Sequence, residues 1–409
     1  MNLRSDADGI IEEALAAILP DAAVQKALHG HRFAGGRIVL AAVGKAAWQM
    51  ARAAADVLGE RIDRGIVITK YDHVMGDLPR ISCMEAGHPV PDENSFAATE
   101  EVLRLTADLT AEDTVLFLLS GGGSALFEKP LIPAEELKDL TEQLLASGAD
   151  IVAVNTLRKR MSAVKGGRFA EHCAPAQVFT IVLSDILGDP LDMIASGPAY
   201  PDTSTAEDAH AVVKEYGIRL SDDATKLLDT PLPSELPNVT THITGSVREL
   251  CAAAAEAAER RGYTPVLLTD QLDCEAREAG RFLAAIARTH AHAGSFAYIA
   301  GGETVVQLKG RGRGGRNQEI ALAAADGIAG IPNVAVFSVG SDGTDGPTDA
   351  AGGYVDGGTA AALARERRSA AEALAENDAY PALNDVGGLI VTGPTGTNVN
   401  DVSVLLIRG

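Results

Sequence analysis

Short apolar runs rich in β-branched residues alternate with longer Ala-rich stretches, and this alternation constrains the fold more than any other feature of the chain. Such alternation is typical of α/β proteins with largely parallel sheets. Several of the apolar runs carry almost no polar residue, as expected of strands that are buried on both faces. The runs that we predict as strands are 37–44, 64–70, 114–120, 177–184, 241–245, 264–269, 295–302, 304–308, 333–340, 388–393 and 402–407.

The length of the chain, 409 residues, predicts two domains rather than one core. The alternation breaks at residues 229–242, where three prolines occur, and we place the linker there. We therefore predict a Rossmann-like α/β/α sandwich with a mostly parallel sheet in residues 1–235. A second, smaller α/β domain follows in residues 236–409, and its last strands are free to return to the first domain.

The charge balance excludes some classes of partner. With 35 Lys and Arg against 56 Asp and Glu, the net charge is −21, which argues against nucleic acid or an anionic membrane as the main partner. No segment reaches the ~20 apolar residues of a membrane-spanning helix. The four cysteines form no CxxC pair and fit a reducing compartment. We therefore expect a soluble cytoplasmic protein.

Many of the 42 glycines follow predicted strands directly. The carboxyl ends of strands in open α/β sheets form the ligand crevice, and glycine lets the backbone approach a ligand closely. Any single cluster is more simply a tight turn, but seven clusters at equivalent places favour a shared binding edge. They contain Gly44, Gly121–Gly123, Gly188, Gly245, Gly301 and Gly302, Gly340 and Gly343, and Gly393 and Gly396.

Two acid-free basic segments stand out in this acidic chain, at residues 158–168 and 309–316. Arginine side chains and glycine amides both suit phosphate, so we expect an anion site there. A solvated basic helix face is the alternative, above all for Arg158–Arg160. The loop at residues 118–130 also follows a strand, and its amides and Ser124 are suited to a phosphate or carboxylate. No Walker A pattern, GxxxxGK[ST], occurs in the chain.

Acidic residues follow two further predicted strands. They are Asp185 and Asp189 after one strand, and Asp342, Asp345 and Asp349 after another. Carboxylates together with substrate phosphates are the usual ligands of Mg²⁺. The alternative is that these side chains only hydrogen-bond their own turns.

A redox reading remains open at this point. Gly310, Gly312 and Gly315 formally match the GxGxxG pattern of dinucleotide-binding proteins, and Asp342 follows 27 residues after Gly315. The match comes late in the chain, its loop is rich in arginine, and the acid lies farther away than the usual ~20 residues. Binding of a nucleotide phosphate by arginine explains the same residues.

Taken together, these motifs resemble the class II glycerate kinases, the MOFRL-type glycerate 2-kinase family, whose members have sometimes been labelled hydroxypyruvate reductases. One departure is Ala199, where the family more often has threonine, so a polar role at that position is in doubt. The motifs run over most of the chain: AAVGKAA (41–47), GHPVPDENS (87–95), LLSGGGSALFEKP (118–130), VNTLRKRMSAVKGGR (154–168), VLSDILGDPLDMIASGPAYPDTST (182–205), GGETVVQLKGRGRGGRNQE (301–319), GSDGTDGPTDAAGG (340–353) and TGPTGTNVNDV (392–402).

The resemblance implies a kinase that uses ATP and Mg²⁺ to phosphorylate D-glycerate on its 2-hydroxyl, with two α/β domains and the active site in the cleft between them. It also implies catalytic roles for Lys45 and Arg316. We further assign Asp185 to Mg²⁺ binding or to accepting the substrate hydroxyl proton, with Asp189 and Asp342 as further metal ligands. The expected substrate- or nucleotide-binding residues are Gly44, His88, Ser120, Gly121, Gly122, Gly123, Ser124, Asn155, Arg158, Lys165, Glu303 and Asn317.

Three functions from different classes remain to be separated: this kinase, a hydroxypyruvate reductase that uses NAD(P)H, and a noncatalytic sugar-acid or nucleotide binder. For His88, which lies in a Pro-rich loop, a structural or substrate-orienting role is simpler than general-base catalysis. A homodimer is compatible with the sequence, which does not decide the oligomeric state.

Overall fold

The structure is a computed structural model and describes residues 2–184, 188, 191–292 and 294–409. Its strands are β1 (Ile38–Val43), β2 (Ile62–Lys70), β3 (Ile81–Ala86), β4 (Thr114–Leu119), β5 (Gln177–Leu183), β6 (Val239–Thr244), β7 (Thr264–Leu272), β8 (Phe296–Gly302), β9 (Val334–Gly340), β10 (Gly352–Asp356), β11 (Leu389–Ile390) and β12 (Asp401–Ile407). Its helices are α1 (Leu3–Ala17), α2 (Pro20–His29), α3 (Ala47–Leu58), α4 (Glu93–Leu105), α5 (Gly123–Leu126), α6 (Ala134–Ala146), α7 (Ile151–Arg160), α8 (Arg168–Cys173), α9 (Ala206–Tyr216), α10 (Asp222–Leu228), α11 (Val247–Arg260), α12 (Ala276–His290), α13 (Arg316–Ala325), α14 (Thr359–Arg365), α15 (Ala370–Ala375) and α16 (Ala379–Asp385).

The described chain divides into two compact units. Residues 23–184 and 191–244 form the N-terminal unit, and residues 2–22 and 245–409 form the body of the C-terminal unit. The division therefore falls after residue 244, not at the predicted boundary of 235. The reason is that β6 pairs with β5 and so completes the N-terminal sheet.

Helix α1 also departs from the predicted domain boundaries, because it belongs to the C-terminal unit. Its apolar face buries Ile10 and Ile11 in one core with Val247 and Leu250 of α11. The last strand, β12, lies between β8 and β9 and does not return to the N-terminal sheet. Tertiary packing, rather than position in the chain, therefore sets the composition of each unit.

The N-terminal sheet is parallel throughout and has the strand order β3-β2-β1-β4-β5-β6. Both β1 and β4 are buried at every position, which explains their uniformly apolar sequences. The order of the strands reverses between β1 and β4. In open α/β sheets, ligands bind outside the carboxyl ends of the strands at such a switch point.

The C-terminal sheet has the order β11-β10-β9-β12-β8-β7 and is mixed. Only β7 and β8 pair in parallel, while β12 is antiparallel to both β8 and β9, and β10 to both β9 and β11. This sheet differs from the expectation of largely parallel strands. Helices α1 and α11 cover one face and α12 and α13 the other, so its strands are apolar because of burial, and burial carries no information about strand direction.

Two predicted strands need correction, and two strands were not predicted. Residues 304–308 form no strand, since Val305 makes only an isolated bridge to Glu275, and the run at 388–393 is reduced to β11. Strands β3 and β10 were not expected, because β3 contains polar residues and β10 begins with two glycines. Gly352 is required in β10, since a Cβ there would lie 1.9 Å from the Ser338 carbonyl oxygen.

Within the described ranges, no helix is both long enough and apolar enough to cross a membrane. All four cysteines are free thiols, and Cys173 and Cys251 are buried. The described chain therefore owes its stability to packing and hydrogen bonding rather than to disulfide bonds.

Candidate functional site

Two loops meet at the switch point of the N-terminal sheet. The loop after β1 holds Gly44 and Lys45, and the loop after β4 begins at Ser120. The Lys45 N–H donates to the Gly121 carbonyl (2.9 Å), and the Ala46 N–H donates to Ser120 Oγ (3.1 Å). Gly44 has a φ of +124°, and a Cβ there would lie 2.2 Å from Ser120 Oγ. Only glycine therefore fits at this position.

The loop Gly121–Ser124 presents polar groups that the rest of the unit leaves unused. In the described part of the chain, the backbone N–H groups of these four residues have no acceptor. The Lys45 side chain beside them is exposed, and none of the described carboxylates lies within ion-pair distance of its Nζ. Amides without an acceptor, next to a lysine side chain, are a suitable setting for an anion.

His88 lies against the same loop. Gly122 has a φ of +87°, and a Cβ there would lie 3.0 Å from His88 Cδ2 and 3.3 Å from Lys45 Cγ. Burial lowers the pKa of His88, and the charges of Lys45 and Lys70 lower it further. The imidazole is therefore neutral at pH 7 and has one donor and one acceptor nitrogen for a ligand.

Behind the loop lies a chain of polar side chains. Ser124 Oγ is 3.3 Å from Ser196 Oγ, which donates to Asn155 Oδ1 at 2.7 Å. Ser196 and Asn155 are buried, while Ser124 is partly exposed. Residues 123–124 pack closely against residues 195–196, because a Cβ on Gly123 would lie only 2.7 Å from the Ala195 Cβ. The structure thus brings the predicted residues Ser124 and Asn155 together through a residue that was not predicted.

Sequence reasoning missed Ala195 and Ser196, although both lie in the segment 182–205 that carries part of the resemblance. Both adopt left-handed backbone angles, with φ of +51° and +61°. Alanine and serine rarely adopt such angles, so residue type gave no signal. Tertiary contacts hold the turn in place: the Gly166 N–H donates to the Ser196 carbonyl at 3.0 Å, and the Gly167 N–H donates to the next carbonyl at 2.8 Å.

Lys165, expected to contact a ligand, is fully buried. Its Nζ donates to the carbonyls of Ser124 (2.8 Å) and Phe127 (2.9 Å) and lies 3.1 Å from Oε2 of Glu128, which is also fully buried. Burial lowers the pKa of Lys165 to about 8, although the charge of Glu128 opposes the shift. Lys165 therefore holds the carbonyl side of the loop in place instead of facing a ligand.

The rest of the basic segment 158–168 is mostly used inside the N-terminal unit, so it is neither an open anion site nor a solvated helix face. Arg158 differs from its neighbours: its Nε is buried and has no hydrogen-bond partner among the described residues, and burial lowers the pKa of the guanidinium. It remains a candidate for ligand binding. The internal contacts are those of Lys159 with Asp202 and Asp192, of Arg160 with the carbonyls of Thr230 and Ser204, and of Arg168 with the carbonyl of Ser162.

The predicted metal ligands are not brought together in the part of the molecule that the structure describes. Asp185 and Asp189 lie outside the described residues. Among the residues that are described, no three His, Cys, Asp or Glu side chains converge on a position for a metal ion. The Asp342 carboxylate accepts the Thr344 N–H at 2.9 Å and so closes its own turn, which was the alternative role expected from the sequence.

In the C-terminal unit, Arg316 opens helix α13. Its guanidinium donates to both carboxylate oxygens of Asp401 and to Glu303 Oε1 (2.8 Å), and Asn400 donates to Glu303 Oε2 at 3.1 Å. Burial lowers the pKa of Arg316, but the hydrogen bonds and charges of Asp401 and Glu303 outweigh burial and raise the pKa above its ordinary value. The guanidinium is thus permanently charged, fixed in orientation and 30% exposed.

Arg316 lines a groove of about 810 Å³ that lies within the C-terminal unit. The glycine-rich loop 310–315 forms part of the lining, together with Val305, Asp342 and Asp345. The predicted residues Arg316 and Asp342 therefore do line one groove. Glu303 contacts this groove through its ion pair with Arg316.

The glycines of the loop 310–315 serve internal packing rather than close approach to a ligand. A Cβ on Gly310 would lie 2.2 Å from the Glu376 carbonyl oxygen, and one on Gly312 would lie 2.5 Å from the Asp378 Cβ. The amides are used as well, since the Gly310 N–H donates to Asn377 Oδ1 at 3.0 Å. The expectation that these amides bind a phosphate is not supported by this geometry.

Asp345 caps the helix that carries Arg316. Its buried carboxylate accepts the N–H groups of Asn317 (3.1 Å) and Gln318 (2.9 Å). Burial raises the pKa of Asp345 to about 7, although both hydrogen bonds favour the charged form. Asn317, expected to bind a ligand, is itself buried and hydrogen-bonds Asp345 and Ser338. The protein's own carboxylate thus occupies the position at which a dinucleotide fingerprint places a pyrophosphate.

Asp345 gives a testable pH dependence. Its pKa in the folded protein, about 7, lies above the ordinary value of 3.8, so between these values the folded state binds more protons than the unfolded state. Its contribution to the free energy of unfolding is therefore present at low pH and is lost as the pH rises towards 7. Asp345→Asn should remove this dependence of the free energy of unfolding on pH. Melting temperatures of both proteins from pH 4.5 to 7.5 measure it, and parallel curves would contradict the assignment.

The chain is similar to known proteins over most of its length. The family described as "Domain of unknown function (DUF4147)" matches residues 6–229, and the MOFRL family matches residues 296–401. The D-glycerate 2-kinase of Thermotoga maritima is 50% identical over 413 residues, covering 99% of both chains. The crystal structure of a glycerate kinase from Thermotoga maritima has a TM-score of 0.95 and covers 99% of both chains.

A further relative bears on the redox alternative. A protein of Agrobacterium vitis named "Putative hydroxypyruvate reductase" is 38% identical over 395 residues, covering 91% of this chain and 87% of that protein. Relatives with both names are thus similar in sequence to this chain over about nine-tenths of its length or more. The resemblance inferred from the motifs is confirmed: the chain belongs to the class II glycerate kinase family, with a DUF4147 region followed by a MOFRL domain.

Proposed function

We propose that this protein is an ATP-dependent glycerate 2-kinase, which transfers the terminal phosphoryl group of ATP to the 2-hydroxyl of D-glycerate. The observation that carries the proposal is the pair of loops at the sheet switch point, where the amides of Gly121–Ser124, which have no acceptor in the described chain, lie beside the exposed side chain of Lys45. Phosphoryl transfer depends mainly on positioning and on neutralising charge. The 50% identity to the D-glycerate 2-kinase of Thermotoga maritima supports the choice of substrate.

Two cations carry complementary roles in this proposal. Lys45 is exposed, and it neutralises negative charge on the reacting groups. Arg316 is held by Asp401 and Glu303, so it presents a charge of fixed direction, which suits phosphate or carboxylate oxygens. Asp185 is proposed either to accept the substrate hydroxyl proton or to bind Mg²⁺, on the basis of its place in the sequence alone.

We also propose that ATP is used together with Mg²⁺. This ion normally binds phosphate oxygens and one or two protein carboxylates, and would offset the phosphate charge. The described residues gather no such ligand set, which leaves Asp185 and Asp189 as the proposed ligands. We assign no catalytic step to the metal.

The compartment is proposed from the thiols. The four cysteines remain free, which fits a reducing environment such as the cytoplasm.

The function is tested by measuring ADP formation from ATP with D-glycerate, followed by identification of the phosphorylated hydroxyl. We expect ADP only when glycerate and Mg²⁺ are both present, loss of activity with EDTA, and recovery with excess Mg²⁺. The product should be 2-phosphoglycerate. No ATP consumption with glycerate or with related short hydroxy acids would contradict the proposal, and 3-phosphoglycerate as product would contradict its regiochemistry.

A hydroxypyruvate reductase is the second candidate, favoured by the name of the Agrobacterium vitis relative. Two features argue against it. The GxGxxG match does not follow a strand directly, because β8 ends at Gly302, and Asp345 occupies the start of the helix after the match. We therefore expect no oxidation of NADH or NADPH with hydroxypyruvate, measured as absorbance at ~340 nm.

A further inference from the structure

The hydrogen bonds that link Ser124, Ser196 and Asn155 have a definite donor-to-acceptor direction, and the buried residue Asn155 sets that direction. Asn155 is 2% exposed, and its Nδ2 lies 3.2 Å from Met193 Sδ. A thioether sulfur accepts hydrogen bonds but cannot donate them, so the amide nitrogen belongs on this side. The amide oxygen Oδ1 therefore faces Ser196 and acts as an acceptor.

Ser196 cannot donate a hydrogen bond to Ser124, because its hydroxyl proton is already donated to Asn155. Its hydroxyl is fully buried and donates its only proton to Asn155 Oδ1 at 2.7 Å. Ser124 Oγ lies 3.3 Å from Ser196 Oγ, and within this pair Ser124 must be the donor. The partly exposed oxygen of Ser124 is thus left with lone pairs alone for a ligand.

A ligand atom that meets Ser124 must consequently be a hydrogen-bond donor. A carboxylate or a fully ionised phosphate oxygen only accepts, so neither satisfies this hydroxyl. A substrate hydroxyl does. The chain also ends at an amide and a thioether, neither of which takes up a proton near neutral pH. It cannot remove the proton of a reacting hydroxyl, and the hydroxyl it binds must be one that does not react.

We propose that Ser124 is the specificity residue for the 3-hydroxyl of D-glycerate, with Ser196 and Asn155 as positioning residues that turn its lone pairs towards the substrate. This inference rests on the proposed function, because phosphorylation at the 2-hydroxyl leaves the 3-hydroxyl as the non-reacting donor. A site that hydrogen-bonds a substrate hydroxyl discriminates strongly against an analogue that lacks it. The matching analogue is D-lactate, which retains the carboxylate and the 2-hydroxyl.

The backbone around Ser196 supports a positioning role. Ala195 and Ser196 both have left-handed φ angles, a conformation that is unfavourable for non-glycine residues and persists only where the surroundings hold it. The contact of Ala195 with Gly123 and the hydrogen bond from Gly166 supply that support. The Ser196 hydroxyl is therefore presented to Ser124 in one fixed orientation.

The test compares equilibrium binding of D-glycerate and D-lactate, by calorimetry in the presence of a nonhydrolysable ATP analogue, together with the KM for ATP. We expect the wild-type protein to bind glycerate at least about 10-fold more tightly than lactate. Ser124→Ala should weaken glycerate binding about 10-fold and change lactate binding less than about 2-fold, with the KM for ATP unaltered. Ser196→Ala should give a smaller loss, because Ser124 regains freedom to donate.

Ser82→Ala is the matched control, since Ser82 is exposed on β3 and lies outside the site. The assignment of Ser124 is overturned if Ser124→Ala weakens the binding of both acids equally or leaves the preference for glycerate over lactate unchanged. A raised KM for ATP would also overturn it. If Ser196→Ala keeps the wild-type preference for glycerate over lactate while Ser124→Ala loses it, the positioning role alone is overturned. Glycerate binding without ATP consumption contradicts the kinase proposal instead, and failure of the wild-type protein to bind glycerate contradicts both.

Discussion

Lys45→Met is expected to lower glycerate-dependent ADP formation by about 10³-fold while leaving the protein folded. The Lys45 side chain lies against the loop Gly121–Ser124, since its Cγ is 3.3 Å from where a Cβ on Gly122 would lie. We propose that its ammonium neutralises charge on the reacting groups, and comparable charge-stabilising groups in phosphoryl transfer are worth about 10³–10⁵ in turnover. The side chain is exposed and has no carboxylate partner in the described chain. Its loss should therefore change the free energy of unfolding by no more than about 0.5 kcal/mol.

The measurement is a steady-state ADP assay alongside thermal unfolding. Lys138→Met is the matched control, because Lys138 is an exposed lysine on α6 and its ion pair with Glu142 is long, at 4.0 Å. The control should retain both activity and stability. Turnover of Lys45→Met within about 3-fold of the wild-type value would remove Lys45 from the mechanism, given the size of effect expected.

Substitution of Arg316 is expected to have the second large effect on turnover, and two substitutions separate its catalytic role from its structural role. Arg316→Lys keeps the charge but loses the planar fork that reaches both Asp401 and Glu303, so turnover should fall by about 10²–10³ with only a modest change in stability. Arg316→Met should also lower the free energy of unfolding by about 3 kcal/mol, because the buried carboxylate of Asp401 loses its ion pair with Arg316.

The double variant Arg316→Met with Asp401→Asn distinguishes catalysis from stability. Burial raises the pKa of Asp401, and Arg316 opposes that shift, so removing the carboxylate charge should restore much of the stability lost in Arg316→Met. Activity should stay low in the double variant. Arg281→Lys on the exposed face of α12 serves as the control. Recovery of turnover in the double variant, or normal turnover in Arg316→Lys, would show that Arg316 has only a structural role.

The contact between the two loops of the candidate site in the N-terminal unit was predictable from the sequence. Gly44 and the triplet Gly121–Gly123 each follow an apolar strand, and parallel strands bring their carboxyl ends to one edge of the sheet. The contact between the loops, from the Lys45 N–H to the Gly121 carbonyl, is a direct consequence of that topology. The neighbourhood of His88 and Gly122 was not predictable, because it depends on the path of a loop that approaches from β3.

The basic segments were harder to interpret, because a local density of charge does not show where the opposite charge lies. Lys159 pairs with Asp202, 43 residues away, and Lys165 with Glu128, both inside the unit. The expected anion site in residues 158–168 is therefore mainly a set of internal ion pairs and carbonyl contacts. Similarly, Gly310 and Gly312 are required by the nearby segment 376–378 and not by a ligand.

The sequence by itself determined the α/β class, the placement of glycine loops after buried strands and the family, since these depend on periodicity and on residues that are neighbours in the chain. Only the tertiary structure decided the strand directions of the C-terminal sheet, the burial of Lys165 and the direction of the hydrogen bonds at Ser124. Each of these is set by contacts between distant residues, such as Ser196 and Asn155, which are 41 positions apart. The local sequence pattern indicates which segments are buried and where turns occur. Hydrogen-bond partners and the direction of each hydrogen bond are defined only in the folded chain.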